Sequence, residues 1–260
     1  MKTCPLCNIN PADNKNSHII PKFLGKPLFE NIKPRYTLQV KKGGKAKKIQ
    51  DIPKQDFLIC IPCEKRFEIL ETYFSRKLIS LRDYANRSDK FEISQIGPNW
   101  ILKCLDLNPF LFKLFYFSII WRLSITSNPL FENFKLPENV ELEIGNFLNE
   151  NLYPIHQDLL KGFESIQTYP EYHLMAYKPK TGRKNFTGIL TAFQMSEDHY
   201  GIFTSDMILF FHLNENKIDN LSKLISNKGI DNVKFILADS TQWKGIGSAV
   251  VKHRLLNNSS

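Results

Sequence analysis

Two Cys-x-x-Cys pairs constrain this chain more than any other feature. Cys4-Pro5-Leu6-Cys7 and Cys60-Ile61-Pro62-Cys63 stand 52 residues apart in a chain of 260. Each pair presents two thiolates from one tight turn, and two pairs supply the four sulfurs of a tetrahedral zinc site with metal–sulfur bonds of about 2.3 Å. Disulfides would require an oxidising compartment, and residues 1–10 hold two cysteines and a proline where a secretory leader carries an apolar run. The longest apolar stretch, residues 110–125, is interrupted by Lys113 and Arg122 and is too short to span a bilayer. The expectation is a cytoplasmic protein in which Cys4, Cys7, Cys60 and Cys63 hold Zn²⁺. The fifth cysteine, Cys104, follows the apolar run Trp100-Ile101-Leu102 and reads as a small buried hydrophobe.

A metal that closes so long a loop contributes much of the folding energy of the segment it closes. The second pair runs straight into a helical pattern, with Phe67, Leu70, Phe74, Leu78 and Leu81 at spacings of three or four, up to about Arg87. A knuckle in a turn, a hairpin, and a second knuckle opening a helix describe a treble clef. The chain as a whole reads as α+β, with a zinc-stapled treble-clef (ββα-metal) module over residues 1–90. Residues 91–260 follow as a helical segment and then a small, mostly antiparallel sheet.

Charge is concentrated in the same module. Residues 1–90 carry 19 Lys/Arg against 9 Asp/Glu, and residues 91–260 carry 16 against 17, so the net +9 belongs to the first third. Such asymmetry points to a polyanionic partner. Lys41, Lys42, Lys45, Lys47 and Lys48 surround Gly43-Gly44, a hairpin turn signal behind the alternating Tyr36-Thr37-Leu38-Gln39-Val40. Lysines at a hairpin tip contact phosphates rather than bases and give salt-sensitive affinity. Lys22, Lys26, Lys33 and Arg35 extend the charge. An anionic membrane surface fits less well, because no amphipathic basic helix accompanies the lysines.

Between the knuckles lies Asn16-Ser17-His18-Ile19-Ile20-Pro21. With both knuckles in order around it, this segment resembles that of the HNH (His-Me finger) endonucleases, over roughly residues 1–75. The resemblance implies phosphodiester hydrolysis, with double-stranded DNA the favoured substrate. His18 would be the general base, and one Mg²⁺ or Mn²⁺ would steady the scissile phosphate. Ser17, just before the base, stands at a position that often supplies a metal ligand. Many relatives continue the second knuckle with His; here Glu64 follows Cys63, and a carboxylate suits a hard cation. Glu64, Glu68 and Glu71 share one helix face, so Glu64 and Glu68 can reach one cation together; acids there also complement a helix dipole. The motif's central Asn falls at Gln55 or Asp56, and Asp56 is read as holding a cation, orienting His18 or turning the chain after Pro53.

Beyond the module, Asn108-Pro109 marks a helix carrying Phe110, Leu114, Phe117 and Trp121 on one stripe. Residues 137–151 and 155–166 read as two more helices, one of whose acids is a partner for Arg122. β-rich runs follow at 172–177, 186–193, 202–204, 207–213 and 233–237, with a helix at 219–226 and a frayed end from 255. His173, His199, His212 and His253 show no ligand spacing, and Gly245-Ile246-Gly247 is too little for a phosphate loop. Two readings result. One is a metal-dependent HNH-type nuclease, working alone, as a homodimer or with a sensor partner, in a setting such as defence against phage or a mobile element. The other is a non-catalytic nucleic-acid-binding or regulatory protein on a degenerate treble clef.

Overall fold

Short local structure draws the cysteine pairs together. A computed structural model of the chain describes residues 2–29, 36–40, 46–81, 84–86, 88–155, 158, 169–180, 190–204, 207–229 and 231–256. In the first knuckle the Cys4 N–H donates to the Asn10 carbonyl at 2.8 Å and the Asn8 N–H to the Cys4 carbonyl at 2.9 Å. Asn8 takes the left-handed conformation (φ 54°) that asparagine tolerates better than most residues. Strand β1 (Ser17–His18) then pairs antiparallel with β4 (Lys54–Gln55). Between them come the short helix α1 (Lys22–Gly25) and the hairpin of β2 (Thr37–Val40) with β3 (Ala46–Ile49). The expected lysine hairpin is therefore present, but its tip, with Lys41, Lys42, Gly43, Gly44 and Lys45, lies outside the described residues, as do Lys33 and Arg35.

Helix α2 (Ile61–Leu81) carries Cys63 in its first turn. Its Ile61 N–H donates to the Asp13 carboxylate at 2.9 Å, a cap supplied from 48 residues away. Phe67, Leu70, Phe74 and Leu81 are buried along the expected stripe.

The next segment departs from expectation. Residues 91–104 form a hairpin, β5 (Phe91–Ile96) and β6 (Asn99–Cys104), joined through Gly97, whose φ of 56° suits the first position of a two-residue primed turn. Helix α3 (Pro109–Ile125) starts where expected, the Asn108 side chain accepting the Leu111 N–H at 3.0 Å. Helix α4 (Glu138–Asn151) follows; of the helix expected at 155–166 little is described.

The remaining elements are β7 (His173–Pro179), β8 (Thr191–Ser196), β9 (His199–Phe203), β10 (Ile208–His212), α5 (Asn220–Ile225), β11 (Val233–Ala238) and α6 (Ser240–Leu256). Most match the β-rich runs to within a few residues. Strand β8 begins later than the 186–193 run, whose first part lies outside the described residues. Helix α6 was not expected. The Asp239 carboxylate, which accepts the N–H groups of Thr241 and Gln242 at 2.8 Å, caps it, and Trp243 and Val250 bury its apolar side.

Seven strands make one sheet in the order β5-β6-β11-β7-β10-β9-β8. Five of its six pairings are antiparallel and β11 with β7 is parallel. The sheet is larger than the sequence indicates because β6 pairs with β11, more than a hundred residues later. Helix α3 is buried on every side from Leu111 to Ser124. One side packs on the sheet, where the Tyr116 hydroxyl donates to the Phe210 carbonyl at 2.9 Å. Another packs on α2, with Phe115 stacked on Phe74 at 4.4 Å. Gly145 of α4 sits where a Cβ would approach the Trp121 indole nitrogen to 2.9 Å, so the close contact of α3 and α4 requires glycine. A single core cluster joins Cys4, Phe67, Trp121 and Phe235, crossing the boundary that composition places at residue 90.

Candidate functional site

The sulfurs of Cys4, Cys7, Cys60 and Cys63 lie within 4.8 Å of one another, and three of the four residues are buried. Cys7 Sγ and Cys60 Sγ are 3.9 Å apart, close to the edge of about 3.8 Å that a tetrahedron with 2.3 Å bonds requires. Burial raises the Cys60 thiol, hydrogen bonding with Cys4 and then burial raise Cys63, and hydrogen bonding, first from Cys63, lowers Cys4 to about 4. A bound cation would hold all four as thiolates and share their charge. The quartet can hold a metal ion such as zinc, and all-sulfur donors fit that ion. Asn10 Nδ2 and Arg66 Nη1 lie 3.9 Å from the sulfurs of Cys60 and Cys63, the outer contacts that orient metal ligands. Arg66 also donates to the Leu152 carbonyl at 2.8 Å and to the Asn149 side chain at 2.9 Å, tying α2 to the C-terminal end of α4.

A second feature is a cavity of about 720 Å³ whose lining includes His18, Lys22, Asp51, Glu64, Glu68 and Glu71. His18 is brought there by β1, whose register sets it opposite Lys54. The turn before it is fixed by the Asn16 N–H, which donates to the Asp56 carboxylate at 2.8 Å, and by the Phe57 N–H, which donates to the Asn14 carbonyl at 2.7 Å. Helical spacing brings the three glutamates to the same cavity. His18 Nε2 and one Glu64 carboxylate oxygen are buried and lack hydrogen-bond partners. Burial first, then the positive charge of Lys54, holds the His18 imidazole down to about 4, so it is neutral at pH 7.

The residues singled out in the sequence are thus partly assembled. His18, Lys22, Glu64 and Glu68 line the cavity. Ser17 does not: it is fully buried and accepts a hydrogen bond from Asn14 Nδ2 at 2.8 Å. Asp56 is exposed and braces the loop before His18. Gln55 turns the other way, its side-chain carbonyl accepting from the Thr126 hydroxyl and from the Ser127 N–H at 2.9 Å. Lys47 and Lys48 line a separate concavity with Tyr36, where the Lys48 ammonium stands 4.7 Å from the ring centre.

Arg122 is placed differently from expectation. Its partner is Glu71 on α2, 2.7 Å from Nη2, and not an acid of a later helix. The signal was present: an arginine inside a continuous apolar run is buried, and a buried charge requires a partner. Strand register sets His173, His212 and His199 side by side on β7, β10 and β9, though among the described residues they form no metal-ligating group. Cys104 is buried as expected and its thiol is raised to about 12 by that burial. Among the described residues no helix is long and apolar enough to cross a membrane. Comparison with protein-family models, with curated proteins and with solved structures returned no match.

Proposed function

We propose that this chain is a metal-dependent endonuclease of the HNH type, built on a zinc-stapled treble clef and hydrolysing phosphodiester bonds in double-stranded DNA. The observation that carries this reading is the convergence of His18 and Glu64 on one cavity, each with a buried polar atom left unpartnered. A neutral imidazole accepts a proton from an attacking water and is charged afterwards. Lys22 and Lys26, on the same wall, offer positive charge to a phosphate. Glu64 and Glu68 are the oxygen donors suited to Mg²⁺ or Mn²⁺, which when bound supplies Lewis-acid stabilisation of the phosphate and the leaving oxygen. Glu71 is already committed to Arg122. Lys47 and Lys48 extend the DNA path away from the cavity.

The test is nicking of supercoiled plasmid with Mg²⁺ or Mn²⁺. His18→Ala is expected to lower the rate by about 10²–10⁴-fold, the range for loss of a general base, and Glu64→Gln to raise the cation concentration needed. A His18→Ala protein that nicks as fast as the wild type removes His18 as the base. Salt-sensitive binding without cleavage by the wild type under either cation would instead favour the binding module.

A further inference from the structure

Arg122 belongs to α3, outside the segment that carries the cysteines, and its side chain is wholly buried. Its guanidinium makes two directed hydrogen bonds, Nε to the Ser118 carbonyl at 3.0 Å and Nη1 to the His18 carbonyl at 2.9 Å, and an ion pair in which Nη2 stands 2.7 Å from the Glu71 carboxylate without hydrogen-bond geometry. Its planar head also lies 4.8 Å from the centre of the Phe67 ring. One rigid group therefore spans the backbone of the residue whose imidazole lines the cavity and the third acid of the α2 face. The loop after α3 reinforces the connection, since Thr126 and Ser127 hold the Gln55 side chain and Asn128 Nδ2 reaches the Lys54 carbonyl at 3.4 Å. Both strands of the β1–β4 ribbon are anchored from this end of α3.

We propose that Arg122 is a positioning residue for phosphodiester cleavage, fixing the His18 segment at a set distance from the acids of α2; this rests on the nuclease reading above. A planar fork is required, because an ammonium is a single point of charge and cannot reproduce two divergent, directed contacts. By neutralising Glu71, Arg122 also leaves Glu64 and Glu68 as the acids available to a cation. The helical middle of the chain then forms the back wall of the site, and residues 1–90 alone lack the anchor.

Full-length wild type, Arg122→Lys, and the double variant Arg122→Met with Glu71→Gln are compared in plasmid cleavage with Mn²⁺. The double variant removes both charges together, so no buried charge is left unpaired. Both variants are expected to lose about 100-fold in kcat, the cost of misplacing a reacting group by about 1 Å, with KM within about twofold of wild type. Metal content and thermal melting establish that each is folded. Either variant, folded and metal-replete, cleaving at the wild-type rate would overturn the proposal. Hydrogen exchange on the same proteins separates this from failure of the nuclease reading. A wild type that cuts no DNA ends that reading and the catalytic role with it. Faster exchange of the residue 17–20 amides in the variants still establishes the anchoring, and unchanged exchange refutes it.

Discussion

Glu71 and Arg122 illustrate how a buried charge is tolerated at the level of single residues. Burial first, with the neighbouring Glu64 and Glu68 charges adding to it, raises the Glu71 carboxyl, and the guanidinium 2.7 Å away offsets only part of that shift. Removing one partner strands the other. Glu71→Ala is expected to destabilise the fold by about 3 kcal/mol, as for breaking a buried pair, read as a lowered denaturation midpoint with an unchanged slope. A midpoint equal to wild type would show that water replaces the carboxylate. Cys104 makes the opposite case. Its thiol, pushed up to about 12, has almost no thiolate at neutral pH. The native protein with its quartet metal-bound is therefore expected to show no fast-reacting thiol toward a disulfide reagent, and Cys104→Ala to leave that profile unchanged.

Among the elements, α2, α3 and their starting points were legible because a helix is written in local spacing: Phe67, Leu70 and Phe74 recur at three or four, and Asn108-Pro109 caps and opens α3. The β5–β6 hairpin and α6 were missed despite local signals, Gly97-Pro98 in one and Asp239 in the other. The histidine row could not be read locally, since β7, β9 and β10 are brought together only by strand register. His199 and His212 stack with ring centres 3.8 Å apart. Burial is the first cause that lowers both, His212 to about 4, with His199 and His173 as its charged neighbours when protonated. Burial likewise lowers His173, against the opposing pull of Glu215. These groups are neutral when folded and charge in the unfolded chain below about pH 6.5. Their contribution is thus fully present above about pH 6.5 and is lost as pH falls through the lowered folded values, about 4 for His212. His212→Gln is expected to flatten that limb of a melting-temperature profile, and an equally steep limb would place the acid sensitivity elsewhere.

For the whole molecule, the division at residue 90 marks a change in charge but not a gap in packing. The core cluster that contains Cys4 and Cys63 also contains Trp121 and Phe235, and Arg66 and Arg122 cross the same boundary. With a metal ion in the cysteine quartet, chelation is therefore expected to lower a single cooperative melting transition by about ten degrees or more, rather than to release an independent module. That is roughly the response of a domain this size to a loss of several kcal/mol. Two separate transitions after chelation would contradict it.

The sequence by itself determined the members of the cysteine quartet, the main helices, most strands and the location of the positive charge. Each of these is encoded in spacing over a few residues or in composition. Only the tertiary structure decided that His18 and Glu64 share a cavity, that Arg122 serves Glu71 and the His18 carbonyl, that Ser17 faces inward, and that β6 completes the sheet beside β11. The pairings of His18, Glu64, Glu71, Arg122 and β6 among these join residues roughly 45 to 140 positions apart. They depend on how a helix buried on all sides is oriented within one shared core, which no local pattern specifies.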